Sequence, residues 1–171
     1  MIVRIPSDAM VVLIGPSGSG KSTFAARHFL PTQVLSSDAL RAVVADDAND
    51  QTATDAAFEL LHSALAMRLS RRRLTVVDAT SVEGWARRRL LAVAKRLGRP
   101  AAAIVLNLPL ETCLERNASR ADRRVPPASI RRQHARMRAS LDGLAAEGFE
   151  PIVVLDTIEA VEAASVEQEG R

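Results

Sequence analysis

Residues 15–22, Gly15-Pro16-Ser17-Gly18-Ser19-Gly20-Lys21-Ser22, fit the pattern G-x-x-x-x-G-K-[ST] at every fixed position. This pattern constrains the fold because it works between a strand and a helix. Both flanks are present: Met10-Val11-Val12-Leu13-Ile14 reads as a buried strand, and Thr23-Phe24-Ala25-Ala26-Arg27-His28-Phe29 as the first turns of a helix. Glycines let backbone N–H groups turn inward around phosphate oxygens, and the helix N-terminus adds the positive end of its dipole. The loop is therefore expected to hold a nucleoside triphosphate such as ATP through Gly15, Ser17, Gly18, Ser19, Gly20 and Thr23. Lys21 would reach the β- and γ-phosphates, and the Ser22 hydroxyl would bind Mg²⁺. Of 23 basic residues only Lys21 and Lys95 are lysines, so a chain that writes arginine nearly everywhere keeps a compact ammonium at this crowded position.

The rest of the chain alternates apolar runs with helical patterns, as a parallel α/β sheet does. Besides 10–14, strands are expected at 33–37, 74–78, 101–107 and 151–155. Helices are expected over 38–44, 56–72, 84–97 and 109–121, and over 129–146 with Ser129 as its cap. Phe58, Leu61, Leu65 and Leu69 are spaced for one apolar face. Residues 46–54 read as a polar loop, 122–127 as a helix break, and the acidic tail from 158 as a short fraying helix. The expectation is an α/β three-layer P-loop kinase fold in a single domain over 1–171, with a five-stranded parallel sheet and helices on both faces. Right-handed crossovers would gather the phosphate loop, Ser36-Ser37-Asp38 and Asp78-Ala79-Thr80 at the carboxyl ends of the strands.

Composition narrows the setting. No apolar stretch approaches membrane-spanning length, the N-terminus lacks a signal-peptide core, and the single Cys113 cannot form an internal disulfide. These features lead to the expectation of a cytoplasmic protein without membrane contact. With four Phe, one Trp and no Tyr, any nucleic-acid contact is expected to rest on arginine and phosphate, not on an aromatic platform.

Three groups could do chemistry. Asp38, at the end of the second strand, could accept a proton from an attacking hydroxyl, or could be the N-cap of the following helix. Arg41 lies three residues on and shares its face, which suits an acceptor carrying both a hydroxyl and a phosphate. Asp78 ends a β-prone run where P-loop enzymes hold the metal, here through water, or it is a strand-ending turn residue. Thr80 and Gln51 are weaker candidates for substrate contact. Arg116, Arg120 and Arg123 precede Pro126-Pro127 and could close as a lid over a transferring phosphoryl, or form a solvated basic face. Arg71-Arg72-Arg73 and Arg87-Arg88-Arg89 read as solvated helix surface or ends, or as a weak path for a polyanion, and Arg131, Arg132, Arg136 and Arg138 carry the same two readings; Cys113 reads as helix packing, and Trp85 as a core or hinge contact. His28, His62 and His134 have no metal-ligand spacing.

The loop with Ser36-Ser37-Asp38, Arg41, Gln51, Thr75-Val76-Val77-Asp78-Ala79-Thr80, Asn107-Leu108-Pro109, Glu115-Arg116-Asn117, Arg120-Ala121-Asp122-Arg123 and Glu147-Gly148-Phe149 closely resembles the kinase domain of bacterial polynucleotide kinase-phosphatase. The resemblance runs in order over nearly the whole chain; one departure is Pro16, where relatives often carry Ser. It implies transfer of an NTP γ-phosphate to the 5′-OH end of RNA or DNA in nucleic-acid repair. It implies that Lys21 and Ser22 bind phosphates and Mg²⁺, Asp38 is the general base, and Arg41 holds the acceptor's phosphate. Arg116 and Arg123 would contact the donor phosphates, with Arg120 and Gln51 in support. It further implies a longer parent chain with phosphatase and ligase-like modules, and an RNA-repair methyltransferase as partner. The alternatives are a small-molecule P-loop kinase and a nucleotide-gated binding module.

Overall fold

A computed structural model describes residues 1–170. Among the described residues seven strands form: β1 (Ile2–Pro6), β2 (Met10–Ile14), β3 (Val34–Ser36), β4 (Thr75–Asp78), β5 (Ala101–Leu106), β6 (Ile152–Leu155) and β7 (Ser165–Glu169). The helices are α1 (Lys21–His28), α2 (Ser37–Ala45), α3 (Thr54–Ser70), α4 (Gly84–Arg96), α5 (Leu110–Ala118), α6 (Pro127–Ser140), α7 (Leu144–Glu147) and α8 (Ile158–Ala163). Five strands make a wholly parallel sheet in the order β3-β4-β2-β5-β6.

The central strands read as continuous apolar runs because both faces are covered. Met10, Val12 and Ile14 of β2 face a core made with Leu61, Leu65 and Leu69 of α3, Leu90 of α4, Met137 of α6 and Leu144 of α7. Val11 and Leu13 point the other way, toward Phe24 of α1 and Val161 of α8. The three-layer α/β expectation is met. From β2 the chain moves out to β3, returns through β4, then crosses to β5 and β6. The strand order reverses at β2, so the loop leaving it sits where α/β sheets bind ligands.

Several details differ from the expectation. The first residues and the acidic tail pair as a second, parallel sheet, Ile2 beside Ser165 through Pro6 beside Glu169; α8 is a helix that gives way to this strand. Ser129 is not a cap: α6 opens earlier with Pro127 at its first position, where a missing N–H costs nothing. It ends at Ser140, and Leu141–Gly143 form a 3-10 turn before α7. Among the described residues no helix is long and apolar enough to cross a membrane.

Candidate active site

Pairing across the sheet places Leu13, Asp78 and Ser36 side by side on β2, β4 and β3. The loops beyond them open into one cleft of about 900 Å³. Its wall includes Ser17, Gly18, Gly20, Lys21, Ser22, Thr23, Asp38, Arg41, Gln51, Asp78, Thr80, Arg116, Arg120 and Arg123, so nearly every residue singled out in the sequence meets there. The exceptions are Gly15, which supports the loop from behind by donating its N–H to the Thr80 carbonyl at 3.0 Å, and the fully buried Ser19.

The loop's shape depends on Gly18 and Gly20, at φ +84° and +95°. A Cβ at Gly18 would run into the Cys113 carbonyl of α5. Gly20 stands at the N-cap of α1 with no side chain to cap it, leaving the first-turn N–H groups toward the cleft. Lys21 is buried and donates from Nζ to the carbonyls of Gly15 and Pro16, both at 2.9 Å. Burial pulls its ammonium down to about 8, against the opposing pull of Asp78.

Beside it the Ser22 hydroxyl hydrogen-bonds the Asp78 carboxyl, which burial raises above the ordinary carboxylate range despite that bond and the nearby Lys21 charge. A hydroxyl and a partly desolvated carboxylate are hard oxygen ligands of the kind Mg²⁺ takes together with water and phosphate. The donor set fits that ion. Among the described residues no three His, Cys, Asp or Glu side chains gather into an all-protein metal cage.

Asp38 faces the loop from α2. The cap of α2 is Ser36, whose hydroxyl accepts the Ala39 N–H, so Asp38 is not the N-cap. Its Oδ1 instead accepts from Arg41 Nη1 at 2.5 Å and from Arg123 Nη1 at 2.6 Å. Burial pushes the carboxyl up, but the bonds and charges of Arg123 and then Arg41 outweigh it and hold the group below its ordinary value. Arg41 is buried, gives a second bond to the Ala48 carbonyl at 2.9 Å, and leaves its Nε without a partner. Gln51 heads a 3-10 turn and donates to the Asn49 carbonyl at 3.1 Å.

The Arg116 guanidinium has no hydrogen-bonded partner among the described residues, and its Nη1 lies 3.3 Å from where a Cβ on Gly20 would sit. Arg120 is held by Asp122 at 2.8 Å, which raises its guanidinium further above the ordinary value. The cleft thus sets a carboxylate opposite a phosphate-type loop, with Arg41, Arg116, Arg120 and Arg123 in the same wall. Such an arrangement can hold two anionic groups and take a proton from a hydroxyl placed between them.

Residues 10–144 match a family model described as an AAA domain. The chain belongs to this AAA domain family. Its solved structural relatives include a chain of the Pnkp1/Rnl/Hen1 RNA repair complex: TM-score 0.68, 19% identity, 82% of this chain and 47% of that one. This AAA-domain chain therefore spans about half the length of that relative. A gluconokinase from Sinorhizobium meliloti 1021 matches with TM-score 0.56 and 20% identity, over 92% of this chain and 89% of that one. The tunicamycin resistance protein of Deinococcus radiodurans matches with TM-score 0.56 and 19% identity, over 89% and 87%. No curated protein sequence matches. At these identities the likeness is one of fold.

Three supporting groups went unread in the sequence. The Asn117 side chain clamps Val125 in both directions, accepting its N–H and donating to its carbonyl, each at 2.9 Å. It closes the segment that carries Arg120 and Arg123. Gln133 of α6 accepts the Ser17 N–H at 2.9 Å, inside the phosphate loop. Arg87 is not solvated surface: it is 1% exposed, bonds Glu147 at 2.6 and 2.7 Å, and donates to the carbonyls of Ser81 and Val82. No local pattern marks an arginine as buried when its partner is 60 residues away. Trp85, read as a core or hinge contact, is exposed and so is not a core residue.

Proposed function

We propose that this AAA-domain chain is a 5′-OH polynucleotide kinase, moving the γ-phosphate of ATP or another NTP to the 5′-hydroxyl of RNA or DNA in nucleic-acid repair. The observation that carries the reading is the Asp38–Arg41 pair across the cleft from the phosphate loop, with a buried guanidinium N–H left free. A hydroxyl acceptor that also bears a phosphate would use both groups. Lys21 and the N–H groups of Gly18 and of residues 20–23 would hold the donor phosphates, with Arg116, Arg120 and Arg123 closing over them. Thr80 and Gln51 would touch the acceptor. Ser22 directly, and Asp78 through water, would hold Mg²⁺, which when bound supplies positive charge at the donor phosphates. Asp38 would take the proton as the 5′-oxygen bonds to the γ-phosphorus, and the bond to the β–γ bridging oxygen breaks to release the nucleoside diphosphate.

Residues 1–171 would act as one kinase domain, cytoplasmic and without membrane contact. It would work with phosphatase and ligase-like modules of a longer chain and an RNA-repair methyltransferase partner. The mutual near-complete coverage with the gluconokinase favours a second reading, a kinase of a small hydroxylated metabolite. A nucleotide-gated binding module is disfavoured because a binder has no use for Asp38.

Incubation with labelled ATP, Mg²⁺ and either a 5′-OH oligonucleotide or a sugar panel separates these readings. Label on the oligonucleotide end supports the proposal. Label on a sugar alone transfers the site to the second reading, and no transfer to either leaves a binding module.

A further inference from the structure

The chain's only tryptophan stands in the open. Trp85, in the first turn of α4, is 57% exposed, an unusual place for so large an apolar side chain. Arg88 and Arg89 follow it at three and four residues, on the same side of the helix, and both are exposed. The Arg88 guanidinium folds back to the start of α4, lying 3.3 Å from where a Cβ on Gly84 would sit. The nearby carboxylate of Glu83 is taken by Arg136 of α6. Arg132 lies one turn earlier on α6 and is exposed. Among the described residues Arg88, Arg89 and Arg132 form no salt bridge. An exposed indole therefore shares its side of α4 with two uncompensated guanidinium groups, and Arg132 stands on the neighbouring helix.

This surface lies a short stretch of chain from the cleft. Trp85 lies five residues beyond Thr80, so at most about 18 Å of chain separates them. On the other side, Gln133 of the same α6 turn reaches the phosphate loop.

We propose that Trp85, with Arg88, Arg89 and Arg132, is a docking surface for the single-stranded acceptor beyond its 5′-terminal nucleotide, one base stacking on the indole while arginines meet the backbone phosphates. The inference rests on the polynucleotide reading of the cleft. It departs from the expectation that nucleic-acid contact here rests on arginine and phosphate alone. Charge complementarity selects the occupant: a polyanion with stackable faces matches an aromatic plane set among cations.

Because Trp85 is the only tryptophan, its emission reports this site alone. A 5′-OH oligonucleotide of about twelve nucleotides, within the span a single-strand groove covers, should quench it, while a 5′-OH mononucleotide should not. In the kinase assay, Trp85→Ala should raise KM for the oligonucleotide about tenfold, the scale of one lost stack. The KM for ATP, kcat and transfer to the mononucleotide should stay unchanged, and Trp85→Phe should recover part of the loss. Arg132→Gln should lower the slope of log KM against log salt by about 0.7. Unchanged emission at a saturating oligonucleotide concentration, or an unchanged KM in Trp85→Ala, overturns the surface. An emission shift that follows protein concentration alone also overturns it, assigning the patch to a second copy. If no 5′-OH acceptor is phosphorylated, the polynucleotide reading fails, and the quenching titration decides the surface by itself.

Discussion

Lys21 is a buried cation bonded to carbonyls rather than to a carboxylate, and this makes its proton negotiable. Its pKa falls from 10.5 when exposed to about 8 in the fold, so between those values the unfolded chain holds more protons. Stability from this residue therefore rises with pH between about 8 and 10.5, and below about 8 the buried charge is a cost. Phosphates reverse the preference by stabilising the ammonium. Nucleotide binding near pH 9 should thus take up a proton, visible as a binding heat that changes with the buffer's ionisation enthalpy. The affinity should weaken above pH 8 by up to about tenfold per unit. Buffer-independent heats would show that Lys21 is already charged in the free protein. Asp38 is tuned the other way, kept ionised by Arg123 and Arg41. Asp38→Asn should cut turnover by at least about 10²-fold while ATP binding is kept, and should also lower Tm, because buried Arg41 loses its charged partner even though Ser36 still caps α2. A purely structural role would instead show as a lowered Tm with normal turnover per folded molecule.

The strap between α5 and α6 shows how an element gathers charges that the sequence scatters. Arg116, Arg120 and Arg123 share no periodic face through the break at Ser119, yet all reach the cleft. Asn117 makes this so, because its amide mimics a strand partner for Val125 and folds the segment back over Cys113 and Ile130. Asn117→Ala removes two bonds to buried backbone and should cost about 2–3 kcal/mol, read as a lower denaturant midpoint. It should also raise KM for the nucleotide, because Arg123 loses its placement. Unaltered nucleotide KM in a correctly folded variant would mean that the strap holds its shape through Val125 packing alone. The phosphate loop was readable from its spaced glycines and lysine, and β2, β4 and β5 because strands buried on both faces are largely apolar runs. Asn117 and Gln133 were not readable, because an amide's partner is chosen by chain folding and leaves no trace in its neighbours.

Across the whole molecule, what the sequence hid is mostly long-range. Ser165-Val166-Glu167-Gln168-Glu169 looks like a polar tail, and becomes a strand only because Ile2–Pro6, at the other end of the chain, offers it an edge. The parallel pairing turns Val3 and Ile5 inward, onto the core that holds Phe24 of α1 and Val161 of α8, directly beneath the helix that opens at Lys21. The outward members, Ile2 at 53% exposed and Arg4 paired with Glu167 and Glu169, face solvent. One face of this small sheet thus braces the layer that aims α1 at the phosphates. Ile5, fully buried, should therefore behave as a core residue of the whole fold: Ile5→Ala should cost about 2–5 kcal/mol by leaving a cavity. Ile2→Ala, three residues away in the same strand, should stay within about 0.5 kcal/mol. Both are measured by urea unfolding followed through the α-helical signal, with nucleotide affinity as a second readout. If the two substitutions were equally mild, the paired ends would be an appendage that frays before the sheet unfolds. A large Ile5 effect in a single cooperative transition, with weakened nucleotide binding near the midpoint, would show that the chain's two ends are part of the scaffold of the site.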